Sequence, residues 1–141
     1  MSSQHFGEVV KLAWQGGLRF EAQVGGQTLV VDSQRQAGIS PTQALAVSLG
    51  GCMAIDVVDI IQKGRFELEG LEAQLASERR ADPPRYVTRV TLHFVVRGNV
   101  PADRVERAIA LSRERYCSVW HSLRQDIDFQ TSFEITPARK G

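Results

Sequence analysis

The chain lacks any run approaching the roughly 18 apolar residues needed to span a bilayer. Met1 to Val10 carries no apolar signal core. It also lacks a charge imbalance. Its 17 Lys and Arg against 16 Asp and Glu leave a formal net charge of +1. That balance supplies no bulk attraction to nucleic acid or to an anionic membrane. The densest basic group, Arg79-Arg80, sits between Glu78 and Asp82, as on a solvated surface. Neither a Walker-type phosphate loop nor a G-x-G-x-x-G run occurs. There are no repeats, low-complexity segments or evident linkers. Cysteine is scarce, with two in the chain. Cytoplasmic location is the default expectation, and thiols there stay reduced, so no structural disulfide is expected. The two cysteines are then either buried fillers or chemistry.

What is present fits one domain over residues 1–141. That length buries a real core without disulfides or metals. Residues 8–15, 18–24 and 27–32 read as short strands, with turn signals at Gly16-Gly17 and Gly25-Gly26. Ser40-Pro41 predicts a helix start, with Ser as N-cap and Pro at the first position. The helix runs to about Lys63, with Gly64 as C-cap. It is apolar on nearly every side, as a helix buried all round would be. One small sheet does not cover such a helix, which implies a second subunit. Gly50-Gly51 interrupts it, predicting close backbone approach or a local break.

Residues 68–79 and 85–97 alternate as a hairpin. Leu71, Ala73 and Leu75 share one face of the first strand. Tyr86, Thr88, Val90, Leu92, Phe94 and Val96 share one face of the second. Pro101 opens another helix with an inner stripe of Val105, Ala108, Ile109, Ser112 and Tyr116. A helical turn or two after Cys117 and a strand at 127–135 complete the order β-β-β-α-β-β-α-β. Strand runs around single helices predict an α+β fold.

Two readings fit Cys52. As a free cysteine it is a small buried hydrophobe. If the helix breaks at Gly50-Gly51, it lies at a new helix N-terminus, where the dipole favours a thiolate. Cys117 follows Arg113 and Arg115 and precedes His121. It is either a partly buried loop cysteine or a resolving thiol, which condenses with a sulfenic acid to a disulfide. A metal site is the weaker idea. His5, His93 and His121 are dispersed, and Cys117-x-x-x-His121 lacks a second ligand pair at zinc spacing. Trp14, Trp120 and the phenylalanines read as core or pocket lining.

The run from Ser40 to Arg65, SPTQALAVSLGGCMAIDVVDIIQKGR, closely resembles the OsmC/Ohr family around its first cysteine. Arg115-Tyr116-Cys117-Ser118-Val119 resembles the family's second cysteine motif. The resemblance covers nearly the whole chain. It implies an OsmC-like α+β fold and an intertwined homodimer with active sites at the subunit interface. It implies a thiol peroxidase of oxidative-stress defence. Cys52 would be peroxidatic and Cys117 resolving. Substrates would be organic hydroperoxides, and a dithiol, in some members a lipoylated protein, would be the reductant. No metal or flavin cofactor is implied. Members resembling the Ohr branch pair an arginine of the N-terminal strands with a glutamate early in the long helix. Here Arg19 is the candidate arginine and Arg35 the second choice. The glutamate position holds Thr42-Gln43. Gln43, Leu49 and Trp120 are candidates for lining the substrate site. The rival reading is a non-enzymatic binder of an apolar or electrophilic ligand. A third is a scaffold with inert buried cysteines.

Overall fold

A computed structural model describes residues 9–139. Residues 1–8, which hold His5 and the start of the first predicted strand, lie outside the described residues, as do the last two of the polar tail. The chain forms two compact units, Met1–Leu45 and Ala46–Gly141.

The first unit is an antiparallel meander of β1 (Lys11–Trp14), β2 (Arg19–Val24) and β3 (Gln27–Asp32). Gly25 and Gly26 join β2 to β3 with φ of 53° and 81°. Both central residues of such a tight hairpin need positive φ, which glycine adopts freely. The large apolar side chains of these strands are open: Trp14 is 67% exposed, against the expectation that it lines a core or pocket. Its indole N–H bonds the Gly17 carbonyl at 2.9 Å instead. After β3 the buried Asp32 carboxylate accepts the backbone N–H groups of Gln34, Gln36 and Ala37. The Ala37 and Gln34 bonds hold its pKa below the ordinary carboxylate value.

Helix α1 spans Pro41–Lys63, as the sequence predicts. The Gln43 N–H donates to Ser40 Oγ at 3.2 Å, and the Ser40 N–H to Gln43 Oε1 at 2.9 Å. This reciprocal capping box satisfies otherwise orphaned donors. At the other end Gly64 is the cap, but the left-handed residue is Arg65, with φ 62°. Its N–H bonds the Gln62 carbonyl and the Phe66 N–H that of Ile61, closing a Schellman turn.

Two expectations about α1 change. The helix does not break at Gly50-Gly51, so Cys52 is mid-helix and not at a new N-terminus. A Cβ on Gly50 would meet Leu75 Cδ1 at 3.5 Å, so this glycine lies directly against strand side chains. And α1 is, by length and composition, apolar enough to cross a bilayer. The long core helix of a globular protein meets the same criterion. One stripe of α1, Leu49, Met53, Val57 and Ile61, is buried in a hydrophobic cluster with the strands.

Beyond α1, the second unit holds a sheet ordered β4 (Glu67–Arg79), β5 (Val87–Asn99), β6 (Asp128–Thr136). Strands β4 and β5 pair antiparallel, as expected of the hairpin, with Ala73 opposite Phe94 and Leu75 opposite Leu92. Strand β6 runs parallel to β5. A parallel pair needs a crossover. It is supplied by α2 (Ala102–Leu111), a π-helical turn (Ser112–Tyr116) and α3 (Ser118–His121). The core joins the α1 stripe to Val90, Leu92, Phe94 and Val96 of β5, Val105, Ala108 and Ile109 of α2, Trp120 and Phe129. Tyr116 departs from its predicted inward stripe and is exposed. The wider π-turn rotates every position after Ser112 out of α-helical phase.

Phe94 is fully buried at the centre of this cluster. Phe94→Ala should lower unfolding free energy by about 3–5 kcal/mol, read from denaturant melts.

Candidate active site

Cys52, Asp56, Asp59 and Lys63 recur along α1 at helical spacing and form one polar stripe. This stripe lies beside the one committed to the core. Asp56 looks onto the end of α2, where the fully buried Ser112 hydroxyl donates to its Oδ2 at 2.8 Å. Ser112 begins the π-turn, and its carbonyl accepts the Cys117 N–H at 2.8 Å. That widened bond ends the helix at Cys117, whose backbone turns extended with φ −74° and ψ 95°. Cys117 then caps α3: its Sγ accepts the Trp120 N–H at 3.4 Å.

The result is a close pair of free thiols. Cys117 is completely buried, and Cys52 is half-buried. The Cys117 pKa is pushed up to about 11, chiefly by burial. The Trp120 N–H opposes this, and a hydrogen bond to the Cys52 side chain and the charge of Cys52 add to it. Cys117 therefore keeps its proton near neutrality. Ser118 Oγ lies 4.0 Å from Cys52 Sγ and adds a hydroxyl beside it.

Around the pair, Trp120 packs on Phe129 with ring centroids 4.6 Å apart. The Arg113 guanidinium lies over both rings, 4.8 Å from the Phe129 centroid. Trp120 also lines a groove of about 800 Å³ with Arg113, His121, Gln125 and Phe133. A second, apolar groove of about 370 Å³ runs between Val47, Gly50, Gly51 and Ala54 of α1 and Ala73, Leu75 and Leu92 of the sheet. Its lining includes neither cysteine.

The structure thus brings Cys52, Cys117 and Trp120 into one neighbourhood. Leu49 is 2% exposed and belongs to the core cluster. Arg19, Arg35 and Gln43 belong to the first unit, where each is locally engaged. Arg19 Nε lies 3.8 Å from Asp32 Oδ2. The Arg35 N–H bonds the Asp32 carbonyl, and the residue is left-handed with φ 57°. The Gln43 carbonyl oxygen is committed to the capping box. Ser112, Ser118 and Asp56 went unassigned in the sequence. The signal for Asp56 was available: it stands one helical turn after Cys52, among the few charges of an apolar helix. Ser118 and Ser112 carry no such signal, because their partners are distant in the chain.

A fully buried cysteine, next in the chain to the serine that lies against a half-buried one, carried on a mixed α+β scaffold, defines a dithiol protein. More particularly, the chain belongs to the OsmC-like protein family, which matches residues 33–132. It is similar to Protein YhfA of Escherichia coli K12, 40% identical over 131 residues, covering 91% of this chain and 98% of YhfA. It resembles the crystal structure of a hypothetical protein from Aquifex aeolicus at TM-score 0.89 and 25% identity, covering 96% of this chain and all of that one. It shares its fold with an organic hydroperoxide resistance protein OsmC from Legionella pneumophila. That match has TM-score 0.71 and 17% identity over 94% of this chain and 99% of the other.

In the folded protein at neutral pH, iodoacetamide should label Cys52 well before Cys117. A thiol shifted from 9.0 to about 11 carries about a hundredfold less thiolate. Because the folded pKa is the higher one, the Cys117 contribution to stability is full below the ordinary value of 9.0 and is lost as pH rises towards about 11. Mass-mapped labelling and melts from pH 7 to 11 check both, with Cys117→Ser melts as the reference.

Proposed function

We propose that this chain is a thiol-dependent reductase of organic hydroperoxides, working as a cytoplasmic homodimer in oxidative-stress defence. The observation that carries the reading is the asymmetry of the neighbouring thiols: one sulfur half-buried on α1, its partner fully buried and holding its proton. The Cys52 thiolate attacks the distal oxygen of ROOH. The O–O bond breaks, the alkoxide leaves as ROH with a proton, and Cys52 becomes a sulfenic acid. Cys117 then attacks that sulfur. A disulfide forms, and the sulfenic oxygen departs as water. An external dithiol reduces the disulfide by exchange and is itself oxidised to a disulfide.

Arg19 is the proposed cation for thiol activation, on the strength of the Ohr-branch resemblance. Of the substrate-side candidates, Trp120 is the one that borders an open groove. The name of the Legionella relative joins this fold to organic hydroperoxide resistance, and it comes to this chain as part of the proposal. The relative YhfA aligns over 91% of the chain, which supports treating it as one OsmC-like domain. Dimerisation is supported by α1 itself: Val47 is 64% and Ile55 70% exposed, one either side of Gly51 at helical spacing. An apolar stripe of that kind marks an interaction face.

A second reading, a non-enzymatic binder of an apolar ligand, is favoured by the cysteine-free groove at Gly50-Gly51. Mild peroxide separates the two. The peroxidase yields a Cys52–Cys117 disulfide by mass spectrometry, and the binder keeps two thiols.

Turnover of an alkyl hydroperoxide with a dithiol should fall by at least about a hundredfold in Cys52→Ser. Cys117→Ser should complete one oxidation and then accumulate sulfinic acid at Cys52. Undiminished turnover in Cys52→Ser sinks the proposal. Ile55→Asp should convert the dimer to monomer by light scattering, since it places a charge in the apolar face. An unchanged dimer mass would move the interface elsewhere.

A further inference from the structure

Asp56 and Ser112 stand out as polar groups withdrawn from water with no part in the two sulfur steps. Ser112 is fully buried and Asp56 half-buried, at the contact of α1 with the crossover. Their hydrogen bond of 2.8 Å joins side chains that are far apart in sequence. A buried hydroxyl and carboxylate of this kind cost stability unless each satisfies the other. Apolar residues of similar size would fill the same space. The position of the pair matters more than its energy. Asp56 stands one turn after Cys52 on the same helix face. Ser112 is tied through its carbonyl to the Cys117 N–H, also at 2.8 Å. A continuous chain of bonds thus runs from α1 through Asp56, Ser112 and the π-turn to Cys117.

We infer that Asp56 and Ser112 are positioning residues that clamp the cysteine-bearing π-turn to α1 and so set the approach of Cys117 to Cys52. The inference deepens the two-cysteine reading above and rests on it for its chemistry. The clamp acts on the second step, in which Cys117 displaces the hydroxyl of the Cys52 sulfenic acid as water. That step competes with a second peroxide molecule, which would take Cys52 on to sulfinic acid. Intramolecular attack wins only if the thiols are held close, the effective-concentration advantage of an oriented pair. A charge-assisted hydrogen bond through the buried Ser112 supplies that orientation at the point where the π-turn departs from α-helix. Asp56 needs no contact with substrate for this role.

Full-length protein, in its native oligomeric state, is treated with graded tert-butyl hydroperoxide. The ratio of Cys52–Cys117 disulfide to Cys52 sulfinic acid is read by mass spectrometry at matched consumption of Cys52. Ser112→Ala and Asp56→Ala should shift that ratio about tenfold towards sulfinic acid, the loss expected for one charge-assisted hydrogen bond. Asp56→Asn keeps a neutral acceptor for the Ser112 hydroxyl and should recover most of the wild-type ratio. General destabilisation does not produce that pattern of loss and rescue. A wild-type ratio in both alanine variants overturns the inference. A second measurement needs no peroxide. In dithiothreitol redox buffers, the equilibrium constant for the same disulfide should fall about tenfold in Ser112→Ala. An unchanged constant overturns the clamp. A wild type that ignores peroxide yet shows this fall supports the clamp and overturns only the peroxidase reading. No disulfide under either condition overturns both.

Discussion

In the second unit one stripe of α1 lies against the strand β5: Leu49, Met53, Val57 and Ile61 meet Val90, Leu92, Phe94 and Val96 in a common cluster. This contact fixes the rotation of the helix about its own axis. With 3.6 residues per turn, committing one stripe to the sheet decides where every other stripe points. The Cys52–Asp56–Asp59–Lys63 stripe is delivered to the end of α2. The Val47–Gly51–Ile55 stripe is left facing outward. A helix that reads as apolar all round thus does three separate jobs. Its core face holds the unit together, its polar face presents Cys52 and Asp56 to the crossover, and its third face leaves Val47 and Ile55 exposed.

The crossover from β5 to β6 supplies the other half of the site. A regular helix carried on through Cys117 would have kept Tyr116 on its inner stripe. The π-turn adds a residue to one turn, swings Tyr116 out, and leaves Cys117 extended at the head of α3. π-turns of this kind are found at functional positions because they re-aim side chains without breaking the element. Here the local irregularity sits directly before Cys117. The Asp56–Ser112 bond reaches the same turn from the side of α1.

Much of the fold was legible before any coordinates. The bounds of β3 and α1 coincide with the patterns that predict them, because Ser40-Pro41 and the alternation of 27–32 are strong local signals. The β4–β5 pairing follows from matched alternation across a short turn. What misled the reading is equally local. Gly50-Gly51 lowers helix propensity, yet the helix runs on unbroken with Gly50 packed against Leu75 and Leu92. Trp14 looks like core by chemistry and is open in the first unit. The parallel pairing of β6 with β5 leaves no trace in a strand's own alternation, which is the same for either direction.

The site divides along the same line. The sequence by itself determined that α1 would be a long capped helix, that Cys52 would lie on it with Asp56 one turn on, and that a helix would end near Cys117. These are consequences of periodicity and capping, which act over a few residues. Only the tertiary structure decided that Cys52 lies beside Ser118 at the head of α3, that Cys117 is the buried, proton-retaining thiol, and that Ser112 binds Asp56. Such facts depend on which faces of distant elements come together. That is set by the burial of the whole core and not by any segment's own preference.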